Sequence, residues 1–551
     1  MIPRQMVTFM FLILRIRGRP RTIYLLFTKP KELETRMPRF FISAVLTLVA
    51  VSTTCLGQDA HSSAEQARDI YKQKYSSKLV PLLAQVLHFP TLEGNAEARE
   101  QQQKWIQSVG TDLGFTVRNA GLITEVELPA DAGAPVLGLV VHGDVQPVNE
   151  AEWAFPPFSG VEKNGVVYGR GSADDKGGLV QALLAMAALR DSKVPRTHTI
   201  RLLVGSDEES TNLDVTTYLK THAAPDLSLV LDSGFPVVVG EKAWSAFTVT
   251  ADAPYSLKPQ AAQKSGFALV KLDAGLAASI VPSEAIAVLE WHGSDQDLDA
   301  AVKALKETQS PAGYRLAVER NESKVTVTAR GKAAHSGVNI EGGRNALVFL
   351  GQVMHGKLLQ SQAADLLLFA EESGKDIYGS GLGLTTNDPL WGHYAVNVAT
   401  IKPTKDHPQS LTLTTNIRAL PSLWGEPLHS FLDKRLAAFN SAHDEQFTSG
   451  GFFGDPPLVF DPNAKLVKRL MSDYAAVTGE HVPPAISGGG TYAKRMPNSI
   501  AFGMWFPGKP YPGHDVDEQI TVSDLNRGVD VLIEALADIG TTPPIHEPFK
   551  P

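Results

Sequence analysis

His142, Asp144, Asp174, Glu208, Glu209 and Asp232 stand in four short stretches, LVVHGD, GRGSADDKGG, LLVGSDEES and LVLDSG, and they are this chain's strongest candidates for chemistry. Imidazole and carboxylate donors suit zinc or a similar divalent ion. His142 and Asp144 lie two apart at what reads as a strand end, so they share a face, and Asp144 could orient a metal-bound His142. Glu208 and Glu209 are adjacent and point to different sides, which suits one ligand beside one free base. Taken singly, Asp174 or Asp175 reads equally as a helix cap, and the glutamate pair as a solvated acidic loop. Taken together, several carboxylates with few histidines suggest two metals sharing a bridge. Such a pair lowers the pKa of bound water to about 7, and hydrolysis is its natural product.

A scaffold must bring these separate segments to one place. The apolar runs 137–141, 200–204 and 227–231 each stop at a cluster of His, Asp or Glu, and helix-length segments lie between them. The spacing predicts an α/β fold: a mostly parallel sheet covered by helices on both faces, with ligands gathered beyond the carboxyl ends of its strands. Residues 62–91 read as an outer helix pair with His88 packed on its apolar face. From about Ser245 to about Asn440 the texture changes to alternating strands, with DQDLDAAVKALKET and NALVFLGQVMHGKLL as helices. This reads as an inserted α+β lid domain, long enough for two similar halves. The α/β pattern then resumes and ends in the amphipathic DLNRGVDVLIEALADIG. The expected divisions are 1–57, a leader; 58–242, the first part of the catalytic domain; 243–445, the lid; and 446–551, the second part.

The leader is basic, and MPRFFISAVLTLVAVSTTCLGQDA has the pattern of a secretory signal. Met37 is then the expected true start, with cleavage near Gly57 and a periplasmic or secreted product. Its apolar run is too short to span a bilayer, so no membrane partner is expected once it is removed. Ser52-Thr53-Thr54 is a poor lead-in for a lipid anchor at Cys55. The net charge of −8 includes nine basic and two acidic residues in 1–57, so the remainder is more acidic still. That argues against nucleic acid as a partner. Cys55 is the only cysteine, so any metal in the mature chain is held by histidine and carboxylate. No G-x-S-x-G elbow or G-x-G-x-x-G loop is present, and two P-loop near-misses lack the Ser/Thr that would hold magnesium.

HGDVQP, GRGSADDKGG, DEES, LDSGFPVVVGEK, GKAAHSG, SGGGTYAKRMPNSIAFG and FPGKPYPGHDVDE, in that order, resemble the dizinc exopeptidases related to aminoacylase and glutamate carboxypeptidase. The wording is nearest the bacterial broad-specificity dipeptidases and the carnosinases. The resemblance runs from about Ala64 to Ile539 and implies a catalytic domain interrupted by a lid. It implies that Asp174 bridges two zinc ions, that His142 and Asp232 complete one site, and that Glu209 and His514 complete the other. Glu208 would be the general base acting on the water between them, and Asp144 would orient His142. His335, on the lid, would stabilise the oxyanion. Arg418 would clamp the substrate's terminal carboxylate, beside the loop of Gly488, Gly489, Gly490 and Thr491.

An Asp at position 232 goes with dipeptidases and aminopeptidases in this family, whereas Glu is usual in its deacylases and carboxypeptidases. Two positions depart from the pattern. Ser279 stands where an Asn often helps polarise the scissile carbonyl, and Asn416 replaces a common acidic residue. The expectation is a dipeptidase acting on small peptides, Xaa-His such as β-alanyl-histidine among them, as a monomer or homodimer. An N-acyl-amino-acid deacylase and a non-catalytic peptide-binding relative are the alternatives.

Overall fold

The computed structural model describes Met10–Ile16, Arg19–Leu25, 61–259 and 265–545. Met10–Ile16 and Arg19–Leu25 pair as an antiparallel hairpin within a unit of their own. The expected start at Met37, the cleavage point near Gly57, and Cys55 lie outside the described residues. No described helix is long and apolar enough to cross a membrane.

In the second unit, His61–Pro551, the first sheet has four parallel strands at its centre. Their order is Ser499–Ala501, Leu227–Val230, Val136–His142 and Thr199–Gly205. Leu227–Val230 is buried throughout, and Val136–His142 is buried after its first residue. Strands covered on both faces have no polar side to alternate with, which is why they read as unbroken apolar runs. Antiparallel strands Ile123–Leu128 and Thr116–Ala120 extend one edge. Val238–Glu241 extends the other, so the sheet is mixed around a parallel centre.

Helix Lys176–Ser192 is buried on all sides from Lys176 to Leu189, as expected of a helix that is apolar all round. It packs against Ser76–Leu87 and Val522–Thr541. The expected outer helix pair is instead one helical run, 61–87, interrupted by the π-helical turn Tyr71–Tyr75. That turn shifts the helical phase and buries both tyrosines, so the break in spacing marks a bulge and not a boundary. His88 is exposed, with Nδ1 2.6 Å from the Ala84 carbonyl, and is not packed on the apolar face.

The second sheet is antiparallel throughout. Its order is Arg315–Asn321, Lys324–Arg330, Glu284–His292, Gly266–Ala274, Ala395–Thr404, His407–Ala419, Ala243–Ala251 and Thr448–Ser449. Phe453–Asp455 also pairs with Ala243–Ala251. The expected helices appear as Asp295–Lys306 and Ala346–Met354, and two more, Gln362–Ser373 and Gly425–His443, pack beside them. The buried apolar side chains sort into two main clusters. One runs from Ala64 to Val239 and resumes from Leu458 to Ile539, and the other runs from Ala243 to Phe447.

Candidate metal centre and substrate cleft

Because the four central strands are parallel, their carboxyl ends all face one way. His142 ends one strand, Glu208 and Glu209 follow Gly205, and Asp232 follows Val230. His514 lies in the segment after Ser499–Ala501, at a backbone φ of 64°. Asp174 sits just before the buried helix Lys176–Ser192. The structure brings all of these together. His142 Nε2 lies 2.9 Å from Asp174 Oδ1 and 3.8 Å from Asp232 Oδ2, and His514 Nε2 lies 3.2 Å from both Asp174 Oδ2 and Glu209 Oε1. Among the described residues, two groupings are tight enough to hold an ion, His142 with Asp174 and Glu209, and His142 with Glu208 and Asp232. The second includes Glu208, to which the family resemblance gives the role of base.

The ring tautomers test whether a cation fits. His142 Nδ1 donates to the Asp144 carbonyl at 3.0 Å, and His514 Nδ1 donates to the Ser279 carbonyl at 3.4 Å. Each neutral ring therefore turns a bare Nε2 lone pair toward carboxylate oxygens, and such a pair needs a proton or a metal between its members. In the protein alone, the proton takes that place. Burial works against charge on His514, yet Glu209 and Asp174 lift it to about 10. Desolvation pushes the carboxyls of Asp232 and Glu208 well above their usual range, Asp232 further by the charge of Asp174 and Glu208 by that of Glu209. Buried carboxylates crowded in this way call for a cation, and the donor set fits divalent metal.

Asp144 meets His142 through its backbone carbonyl and uses its side chain elsewhere. Its carboxylate is 3.5 Å from His142 Nδ1, farther than its own carbonyl, and it accepts the backbone N–H groups of Glu208 and Glu209 at 3.2 and 3.0 Å. It thereby fixes the turn that aims the two glutamates.

The lid closes the other side of a cleft of about 560 Å³. The His335 ring lies 4.4 Å from that of His514, centroid to centroid. Its Nδ1 accepts the N–H groups of Gly337 and Val338, both at 2.9 Å, so the ring proton sits on Nε2. Burial, with the charges of His514 and Arg418 near by, holds His335 well below its usual pKa and hence neutral. Arg418 is buried and donates to neutral oxygens, those of Asn416, Ser279 and Ser336, at 3.2, 3.3 and 3.4 Å. Burial lowers it only to about 10, so it stays charged. Asn416 thus orients the guanidinium without neutralising it.

Gly489, Gly490 and Thr491 line the same cleft. The Thr491 hydroxyl itself is committed to Glu241 at 2.8 Å. At Gly488 an added Cβ would lie 1.9 Å from the Gly337 carbonyl, so only glycine lets the lid loop and the catalytic loop touch.

Residues 138–538 match the model of Peptidase family M20/M25/M40. The chain belongs to that family. Among relatives, "Putative dipeptidase YtjP" of Bacillus subtilis is 27% identical over 434 residues, 78% of this chain and 88% of the relative. The "Beta-Ala-Xaa dipeptidase" of Lactobacillus delbrueckii subsp. lactis is 27% identical over 453 residues, 82% and 91% of the two chains. Among solved structures, human carnosine dipeptidase 1 superposes with a TM-score of 0.57 at 14% identity, covering 86% of this chain and 98% of its own. That likeness bears on the fold, an M20 catalytic domain with its lid.

Three supporting residues of this M20 chain were not singled out from its sequence. Tyr511 donates to Asp174 Oδ2 at 2.5 Å, and Gln146 donates to Glu209 Oε2 at 2.9 Å. Glu518, fully buried, accepts the N–H groups of Gly171, Ala173 and Asp174 at 2.9–3.1 Å and pairs with Arg170 at 2.6 Å. It therefore ties the His514 segment to the Asp174 loop. The only sequence signal was its place at the end of GHDVDE. Removing it strands the buried guanidinium of Arg170, so Glu518→Ala should cost about 3–5 kcal/mol of stability in urea unfolding. A loss under about 1 kcal/mol would mean that water replaces the carboxylate.

Proposed function

We propose that this chain is an exported dizinc dipeptidase. The observation that carries the reading is one cleft lined both by a buried, un-neutralised Arg418 and by a cation-demanding carboxylate cluster. A dipeptide has the matching ends, a free carboxylate and a free amine beside the scissile carbonyl. His142 and Asp232 would hold one zinc and Glu209 and His514 the other, with Asp174 between them. Bound there, zinc polarises the scissile carbonyl and acidifies water.

The protein's own groups do the rest. The guanidinium fork of Arg418 takes the terminal carboxylate, beside the backbone of Gly489 and Gly490. Glu208 removes a proton from the attacking water and hands it to the leaving nitrogen. His335 donates Nε2–H to the oxygen as it gains charge. One chain supplies both His335 and the cluster, which supports a monomer as the working unit. The secretory pattern from Met37 supports a periplasmic or secreted place in peptide use, and the Beta-Ala-Xaa relative supports β-alanyl-histidine as one substrate.

The test is amine release from free-amine dipeptides, β-alanyl-histidine included, against N-acetyl amino acids. Dipeptide cleavage alone is expected. Cleavage of only the acyl compounds would place the chain among the deacylases.

A further inference from the structure

We infer that Trp244 and Phe453 form the pocket for the side chain of the substrate's C-terminal residue, and that they make this site favour large apolar, above all aromatic, residues there. The inference rests on the dipeptide reading and on the register of the lid sheet. Trp244 lies opposite Arg418 on one neighbouring strand and opposite Asp455 on the other. Directly opposed residues in antiparallel strands project to the same face. Arg418, Trp244 and Asp455 therefore make a row across the sheet, and all three line the cleft. The next row on that face is Asn416, Ala246 and Phe453. The small side chain of Ala246 leaves Phe453 free to lean diagonally onto Trp244, with ring centroids 5.5 Å apart and planes at 89°.

Phe453 is 67% exposed, yet it lines the cleft. An aromatic ring held edge-on by one neighbour and open on its other side is half of an apolar pocket. Trp244 is fixed in turn. Its Nε1 donates at 3.3 Å to Ser279 Oγ, the same oxygen that accepts from Arg418. When Arg418 holds the terminal carboxylate, the side chain on the adjoining Cα falls within reach of the next member of the row, Trp244. At the far end Asp455 is paired with Arg495, so that end does not call for a cationic side chain. Ser279 thus acquires a use as the hydroxyl that locks clamp and pocket together.

The experiment compares Ala-Phe with Ala-Gly. The native protein should show a kcat/KM ratio favouring Ala-Phe by about tenfold or more. Phe453→Ala should cut that ratio by about tenfold, chiefly through KM, and Phe453→Leu should restore part of it. A ratio that does not move, or no preference in the native protein, would overturn the pocket. Calorimetric binding of the same dipeptides to Glu208→Gln protein reads the preference without turnover. Preferential binding of Ala-Phe to Glu208→Gln protein, when the native protein cleaves no dipeptide, would uphold the pocket and refute the dipeptidase, whereas equal binding of both peptides would refute the pocket itself.

Discussion

Glu208→Gln should lower kcat on a dipeptide by about 10²–10⁴-fold while the metal content stays that of the native protein. The side chain lines the cleft, and its backbone N–H is held by Asp144 at 3.2 Å, so the substitution leaves the turn in place. Removing the acid–base group then stops the proton transfer and little else. The rival role is visible in the geometry, because Glu208 also falls in a possible metal grouping with His142 and Asp232. Metal analysis beside the kinetics separates the two. Loss of metal together with activity would make Glu208 a ligand, and full activity would remove it from the mechanism.

His335→Ala should lower kcat by about 10²–10³-fold and change KM much less. Two backbone N–H groups occupy Nδ1, so Nε2 carries the proton, and the neutral ring can only donate from that atom. A donor aimed at an oxygen that becomes charged only during reaction strengthens in the transition state and shows in kcat. An equal rise in KM with kcat intact would make His335 a ground-state contact.

The catalytic strands were legible because burial on both faces gives continuous apolar runs, and parallel strand ends gather whatever polar residues follow them. His142, Glu208, Glu209 and Asp232 could be read in this way, and Asp174 from the glycine-flanked turn into the helix that follows it. His514, His335 and Arg418 could not, since each is a single residue whose value depends on a partner far along the chain, and they entered only through resemblance to a family. Tyr511 and Glu518 were missed for the same physical reason. Tyr511 meets Asp174 across 337 residues, and no local periodicity records such a contact. The π-helical turn at Tyr71–Tyr75 misled because a phase shift within one helix and a break between two look alike in hydrophobic spacing. Asn416 departs from the family's pattern, and its amide oxygen orients Arg418 and leaves the positive charge for substrate.

The most direct measurement is amine release from Ala-Phe and β-alanyl-histidine by the purified protein, before metal removal, after it, and with zinc returned, with N-acetyl-phenylalanine in parallel. The account predicts dipeptide cleavage that disappears with the metal and returns with zinc, and no release from the acyl compound. Dipeptide cleavage that survives complete metal removal, or cleavage of the acyl compound alone, would contradict it.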